Sequence, residues 1–274
     1  SRTVLRRESG SNPADLVDYR EITEALGGSY LDLTDGRNRI NVLEPRMWSA
    51  EDKEPDPEAP AAFQSGSVLS QHIAFLRDFF RSYKPFTEAE IDTIEIMLGR
   101  LYDSRGLRDD TDYSRLSPRD YPILSDLYDQ MDAEYQRVRT GSGGELYTPE
   151  LLRSACLGLH SMCKGADAKF FNGHTNIHDT RLITFGVKDL MEGGKNIKDA
   201  MLFNVLSYIN HALIAGGNAA GIFEELHVFL SNPVAVSYIR SAMKRVRKRD
   251  SLIGLASQNI EDFLLPGVAE MTKP

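Results

Sequence analysis

Long apolar runs are missing from this chain: no stretch approaches the length of a membrane span, and no signal-peptide pattern opens it. Cysteine is scarce. The two present, Cys156 and Cys163, are too few for a disulfide framework, and their spacing is not that of a zinc knuckle. They fall in a helix-like stretch and read as buried reduced thiols, which points to a reducing compartment. Net positive charge is lacking too. Lys and Arg number 32 against 40 Asp and Glu, leaving −8, so the overall field does not favour nucleic acid and any DNA contact would need a local basic patch. The one dense patch is Lys244, Arg245, Arg247, Lys248 and Arg249. A GxxxxGK[ST] stretch is absent; the glycine-rich "GSGGE" at 141–145 has no lysine and no following hydroxyl. By its motifs, the chain holds no complete cradle for a triphosphate. The histidines are scattered. His174 and His178 stand four apart, but Gly173 and Asn176 mark a loop and no third ligand follows, so a metal site is not expected there.

What is present is an ordinary globular balance: 274 residues, 41% hydrophobic and 26% charged, enough for one large domain or two smaller ones. Ser1 opens the chain without a methionine, which points to a boundary inside a longer protein. "DYREITEALGG" predicts a helix with Tyr19, Ile22, Ala25 and Leu26 on one face, ended by Gly27 and Gly28. "SYLDLT" alternates as a strand, and "RINVLEP" follows to Pro45. Residues 49–61 are acidic and proline-rich, a linker by composition. From Phe63 to about Lys164 the apolar spacing is helical, with Thr87 and Glu90 forming a capping box. Beyond Lys164 the pattern turns to "RLITFGV" as a strand, a long helix to Gly216-Gly217, "AAGIFEELHVFL" (219–230) as a strand ending in two acids, a proline-started basic helix, and "SLIGLASQ" as a further strand. That alternation predicts a parallel sheet wrapped by helices, interrupted by an all-α insertion. The expected boundaries are 1–60 and 166–274 for the α/β part and 61–165 for the insertion.

The segment carrying chemistry is "GIFEELHVFL". Ligands of open α/β sheets bind at the carboxyl ends of strands. There Glu224 can hold a Mg²⁺-bound water and Glu225 can orient an attacking water for phosphoryl transfer. The alternative is that two acids merely open an exposed helix. Gln258 and Asn259 end the next strand, where a side-chain amide can sense a γ-phosphate or hold the lytic water; Asn259 can equally cap a helix. Between them lies the helix bearing Arg240 and Arg245, either a solvated face or the source of an arginine finger toward a neighbouring subunit.

These segments together resemble the C-terminal ATPase domain of VirB4-family proteins, motor components of conjugative type IV secretion systems. The resemblance runs from about Asp18 onward. "DYREITEALGGSYLDLTDGRNRINVLEP" resembles the family's acidic-aromatic pair, helix, Gly-Gly, strand and "INP"-like turn. "FFNGHTNI" and "RLITFGVKDL" resemble its re-entry into the sheet after a helical insertion. "GIFEELHVFL" resembles its Walker B strand, and "SLIGLASQNIEDFL" its TQN-like motif with Ser257 in the threonine place. Glu224 stands where aspartate is usual, and its longer arm would move the Mg²⁺ shell. The resemblance implies a RecA-like P-loop NTPase core with an inserted all-α subdomain, using ATP and Mg²⁺. It implies Glu225 and Gln258 as catalytic residues, Glu224, Asn259, Arg240 and Arg245 as nucleotide contacts, and Glu224 as the Mg²⁺ contact through water. It implies a homo-oligomer, a hexamer in the intact protein, on the cytoplasmic face of the membrane. There it would work with inner-membrane channel proteins and other secretion components in pilus assembly or the transfer of DNA or protein, with DNA as a further partner. The phosphate-binding loop is then expected upstream of Ser1. Two competing readings are a VirD4- or HerA-like DNA translocase and a degenerate RecA-like scaffold without catalysis.

Overall fold

The computed structural model describes residues 2–6, 19–49, 57–64, 66–142, 146–177, 180–187, 194–224, 226–230, 232–264 and 268. Its five strands form one sheet: β1 (Arg2–Arg6), β2 (Ser29–Asp32), β3 (Leu182–Gly186), β4 (Ala220–Phe223) and β5 (Leu252–Leu255). Their spatial order is β2-β3-β1-β4-β5 and every pairing is parallel. Asp32 is therefore level with Gly186, and Phe223 with Leu255. All the carboxyl ends gather along one edge, where loops have room to build a site.

Two elements differ from the sequence expectation. β1 carries no sequence signal beyond five residues, yet it holds the centre of the sheet. The strand expected over 219–230 stops at Phe223, and helix α8 (His227–Leu230) follows. The chain turns where Leu226 N donates to Ala256 O at 2.9 Å, and Leu226 and Phe229 are buried three residues apart, at helical spacing.

Helix α1 (Tyr19–Ala25) ends at Gly27, whose φ of +72° suits glycine. Its anchor is not the apolar face read from the sequence. Ile22 and Leu26 are exposed at 39% and 70%, whereas Thr23 is buried and shares a 2.7 Å hydroxyl pair with Thr184 of β3. Gly28 permits that approach, since a Cβ there would lie 2.7 Å from Leu182 O.

Between residues 66 and 165, the described residues contain no strand. Four long helices fill the span: α2 (Val68–Tyr83), α3 (Glu88–Ser104), α4 (Leu124–Arg139) and α5 (Pro149–Cys163). Each start has a local cause. Ser67 caps α2, Thr148 caps α5 ahead of Pro149, and Thr87 with Glu90 closes a reciprocal capping box on α3. Cys156 and Cys163 lie buried as free thiols, and burial pushes them up to about 11 and about 12. A short turn, α6 (Ala168–Phe171), leads back to β3.

Helix α7 (Lys195–His211) is apolar on most sides because it lies between the sheet and α2. Gly221 of β4 faces Ile209 and Leu213, and Phe203 meets Phe75 of α2 at 5.1 Å between ring centroids. The helix loosens into a π-helical turn at Ala212–Gly216 before β4. Helix α9 (Pro233–Val246), capped by Asn232, adds Tyr238 to the same cluster, 4.9 Å from Trp48 and 4.7 Å from Phe203. The helical block and the sheet half thus share one continuous core.

A polar knot sits beside it. Arg46, 2% exposed, donates to Ser207 Oγ at 2.8 Å, Asn41 O at 2.9 Å and Asn204 Oδ1 at 3.3 Å. His72 Nδ1 accepts from Arg46 N at 3.3 Å, and His211 Nδ1 accepts from Met47 N at 3.0 Å. Burial, and then the Arg46 charge, hold both imidazoles below the ordinary value, His211 at about 4. Both are neutral in the folded chain. The unfolded chain takes up protons near 6.5 and the folded one only at lower pH, so stability falls as pH drops from about 6.5 toward 4. Urea midpoints measured between about pH 7 and about pH 4.5 should decline, less steeply in His211→Asn. A flat profile would contradict this account of the knot.

Candidate active site at the carboxyl edge of the sheet

β4 delivers Glu224, half-buried, to the carboxyl edge. The pairing of β4 with β5 continues past both strands: Ala256 N donates to Phe223 O at 2.8 Å, and Leu226 N returns a bond to Ala256 O at 2.9 Å. Phe223 and Leu226 are therefore both held to Ala256, the residue that follows β5. Glu225 itself lies outside the described residues, but the residues on both sides of it are pinned. These bonds set the end of β4, where Glu224 stands, beside the end of β5.

Beyond β5 the chain makes a tight turn. Ser257 Oγ hydrogen-bonds the Asp262 carboxylate and accepts from Asn259 N at 3.4 Å. A 3₁₀ helix (Ile260–Leu264) follows, with Asp262 N donating to Asn259 O at 3.2 Å. Gln258 and Asn259 are exposed on this turn. Opposite them, at the start of α1, Tyr19 donates from its hydroxyl to Glu224 Oε1 at 3.2 Å. The sequence places Tyr19 on the apolar face of its helix and in the acidic-aromatic pair, and gives it no part in the site. The available signal was its place at the first turn of a helix that begins at this edge.

The two predicted arginines lie elsewhere. Arg245 is 7% exposed, its guanidinium 5.1 Å from the Phe63 ring centroid and its Nη1 donating to Ser241 O at 3.0 Å. The next residue, Val246, accepts from Ser251 N at 3.1 Å, which fixes this end of α9 at the amino end of β5, away from Glu224. Arg240 forms an ion pair with Glu58 of the acidic linker at 3.2 Å. An arginine finger requires an exposed guanidinium. The exposed cations at this end of α9 are Lys244, Arg247, Lys248 and Arg249.

Among the described residues, no group of three or more His, Cys, Asp and Glu side chains is placed to hold a metal ion. Glu224, with the Tyr19 hydroxyl on its carboxylate, suits a cation that brings most of its oxygen ligands as water and phosphate, which is the habit of Mg²⁺.

VirB4 of Thermoanaerobacter pseudethanolicus, among solved structures, matches 98% of this chain with a TM-score of 0.77 and 26% sequence identity. The chain is related to the VirB4 family. The match takes in the helical block as well as the sheet, so the relation rests on the whole arrangement rather than on one motif. The chain spans 65% of the length of that VirB4. No family model and no curated protein sequence matches it. The VirB4 relation makes the carboxyl edge of β4 and β5 the first place to look for chemistry. Among the described residues no helix is long and apolar enough to cross a membrane.

Proposed function

We propose that this chain is part of a RecA-like ATPase motor of a type IV secretion system, coupling ATP hydrolysis to pilus assembly or to transfer of DNA or protein. The observation that carries the reading is that Phe223 and Leu226 both hydrogen-bond Ala256 at the carboxyl edge, where Glu224 stands, in a chain that matches VirB4. Mg²⁺ bound with the nucleotide would neutralise charge on the phosphates. Glu224 would hold a water of that ion. Glu225 would accept a proton from the attacking water and aim it. Gln258 and Asn259, on the neighbouring turn, hydrogen-bond the terminal phosphate or the water. A neighbouring copy in a hexamer receives an arginine from the exposed basic end of α9. The motor works at the cytoplasmic face of the membrane with other secretion components.

Most triphosphate affinity in such sites comes from the backbone N–H groups and the lysine of a phosphate loop, and this chain has none. Calorimetric titration with ATP and Mg²⁺ should therefore show binding to the full-length protein and little or none to the 274-residue chain. Micromolar binding by the chain alone would mean that the cradle lies within it. Absence of both binding and hydrolysis in the full-length protein would favour a scaffold instead.

A further inference from the structure

We infer that Tyr19 is a positioning residue that holds the Glu224 carboxylate in place for Mg²⁺; the inference rests on the reading of Glu224 given above. The argument begins with the length of the acid. A glutamate has one more rotatable bond than an aspartate, so its carboxylate sweeps a wider volume from the same strand end. A carboxylate that must meet a metal-bound water needs something to stop that sweep, and outer hydrogen bonds serve this purpose around metal sites. The Tyr19 hydroxyl supplies one, 3.2 Å from Glu224 Oε1.

The rest of α1 is built to deliver that hydroxyl. Thr23 is tied to Thr184 of β3 at 2.7 Å, Gly28 N donates to Thr23 O at 2.8 Å, and the Arg20 guanidinium lies 4.4 Å from the Tyr30 ring centroid. These contacts seat the helix over β2 and β3. In the order β2-β3-β1-β4-β5, Glu224 ends a strand two places from β3, a span of about 10 Å. Tyr19, the first residue of the helix, crosses the end of β1 with a long rigid side chain. A serine or threonine there would fall short. The bond is donated by a neutral phenol to a carboxylate oxygen, so it adds no competing charge. Tyr19 thereby joins α1 to the candidate Mg²⁺ site without touching the reacting atoms.

The test uses the full-length protein and a fluorescent ATP analogue, with binding rather than turnover as the readout. Tyr19→Phe should raise the Mg²⁺ concentration needed for half-maximal nucleotide binding about tenfold, the lower end for loss of a metal's outer partner. Affinity without Mg²⁺ and the melting temperature should stay as in the wild type. Glu224→Gln serves as the reference and should shift the Mg²⁺ curve at least as far. If Glu224→Gln shifts the curve and Tyr19→Phe does not, the positioning role is wrong while the site reading stands. A Tyr19→Phe protein that melts earlier and loses nucleotide affinity equally with and without Mg²⁺ would show a merely structural tyrosine. If Glu224→Gln leaves the Mg²⁺ curve unmoved, the reading of Glu224 fails and the role of Tyr19 fails with it.

Discussion

In the full-length protein, Glu225→Gln is expected to leave ATP binding nearly intact and to slow turnover by about 10²-fold or more, the scale of losing a general base. The substitution keeps size and hydrogen bonding but removes the charge that polarises water. Adjacent residues at a strand end present their side chains in different directions. The proposed function gives Glu224 to the metal shell and Glu225 to the lytic water. Phe223 and Leu226 are both bonded to Ala256, at the end of the next strand. Gln258→Ala should also slow turnover while changing binding little. A purified Glu225→Gln protein that hydrolyses ATP at the wild-type rate would contradict the assignment and favour the scaffold reading.

The largest stability effect is expected at Trp48. It is fully buried and stacks 4.8 Å from Phe75, 4.9 Å from Tyr238 and 5.4 Å from Phe63. Those partners come from α2, α9 and the end of the linker, so the indole fills the joint between the helical block and the sheet half. Trp48→Ala should cost about 3–5 kcal/mol and lower the melting temperature by on the order of 10 °C. In the wild type, fluorescence of this one tryptophan and far-ultraviolet circular dichroism should report the same single transition, because both halves share the core. Two separated transitions would show that the halves fold independently.

How much of this was legible in the sequence depended on how local each cause was. The capping box of Thr87 and Glu90 and the apolar face of α2 are written within a few residues, and the structure forms both as expected. β1 was illegible because its place comes from β3 and β4, not from its own five residues. The helix α8 after Glu225 was not legible, because its apolar residues look the same in a strand and in a short buried helix. The acidic, proline-rich stretch suggested a boundary, yet Trp48 and Phe63 on its two sides meet in one core at 5.4 Å. Arg245 read as an exposed cation because nothing nearby in the sequence shows that Phe63 lies beneath it. At the candidate site, Glu224 and the 257–259 turn were visible as ends of strands. Tyr19 was not, since its hydrogen bond spans 205 residues of sequence.

The most direct measurement is a structure of the full-length protein with Mg²⁺ and a non-hydrolysable ATP analogue. The account predicts the terminal phosphate at the carboxyl edge of β4 and β5, with Glu224 on a metal-bound water and Glu225 and Gln258 facing the γ-phosphate. Nucleotide bound elsewhere in the protein, with this edge empty, would contradict it.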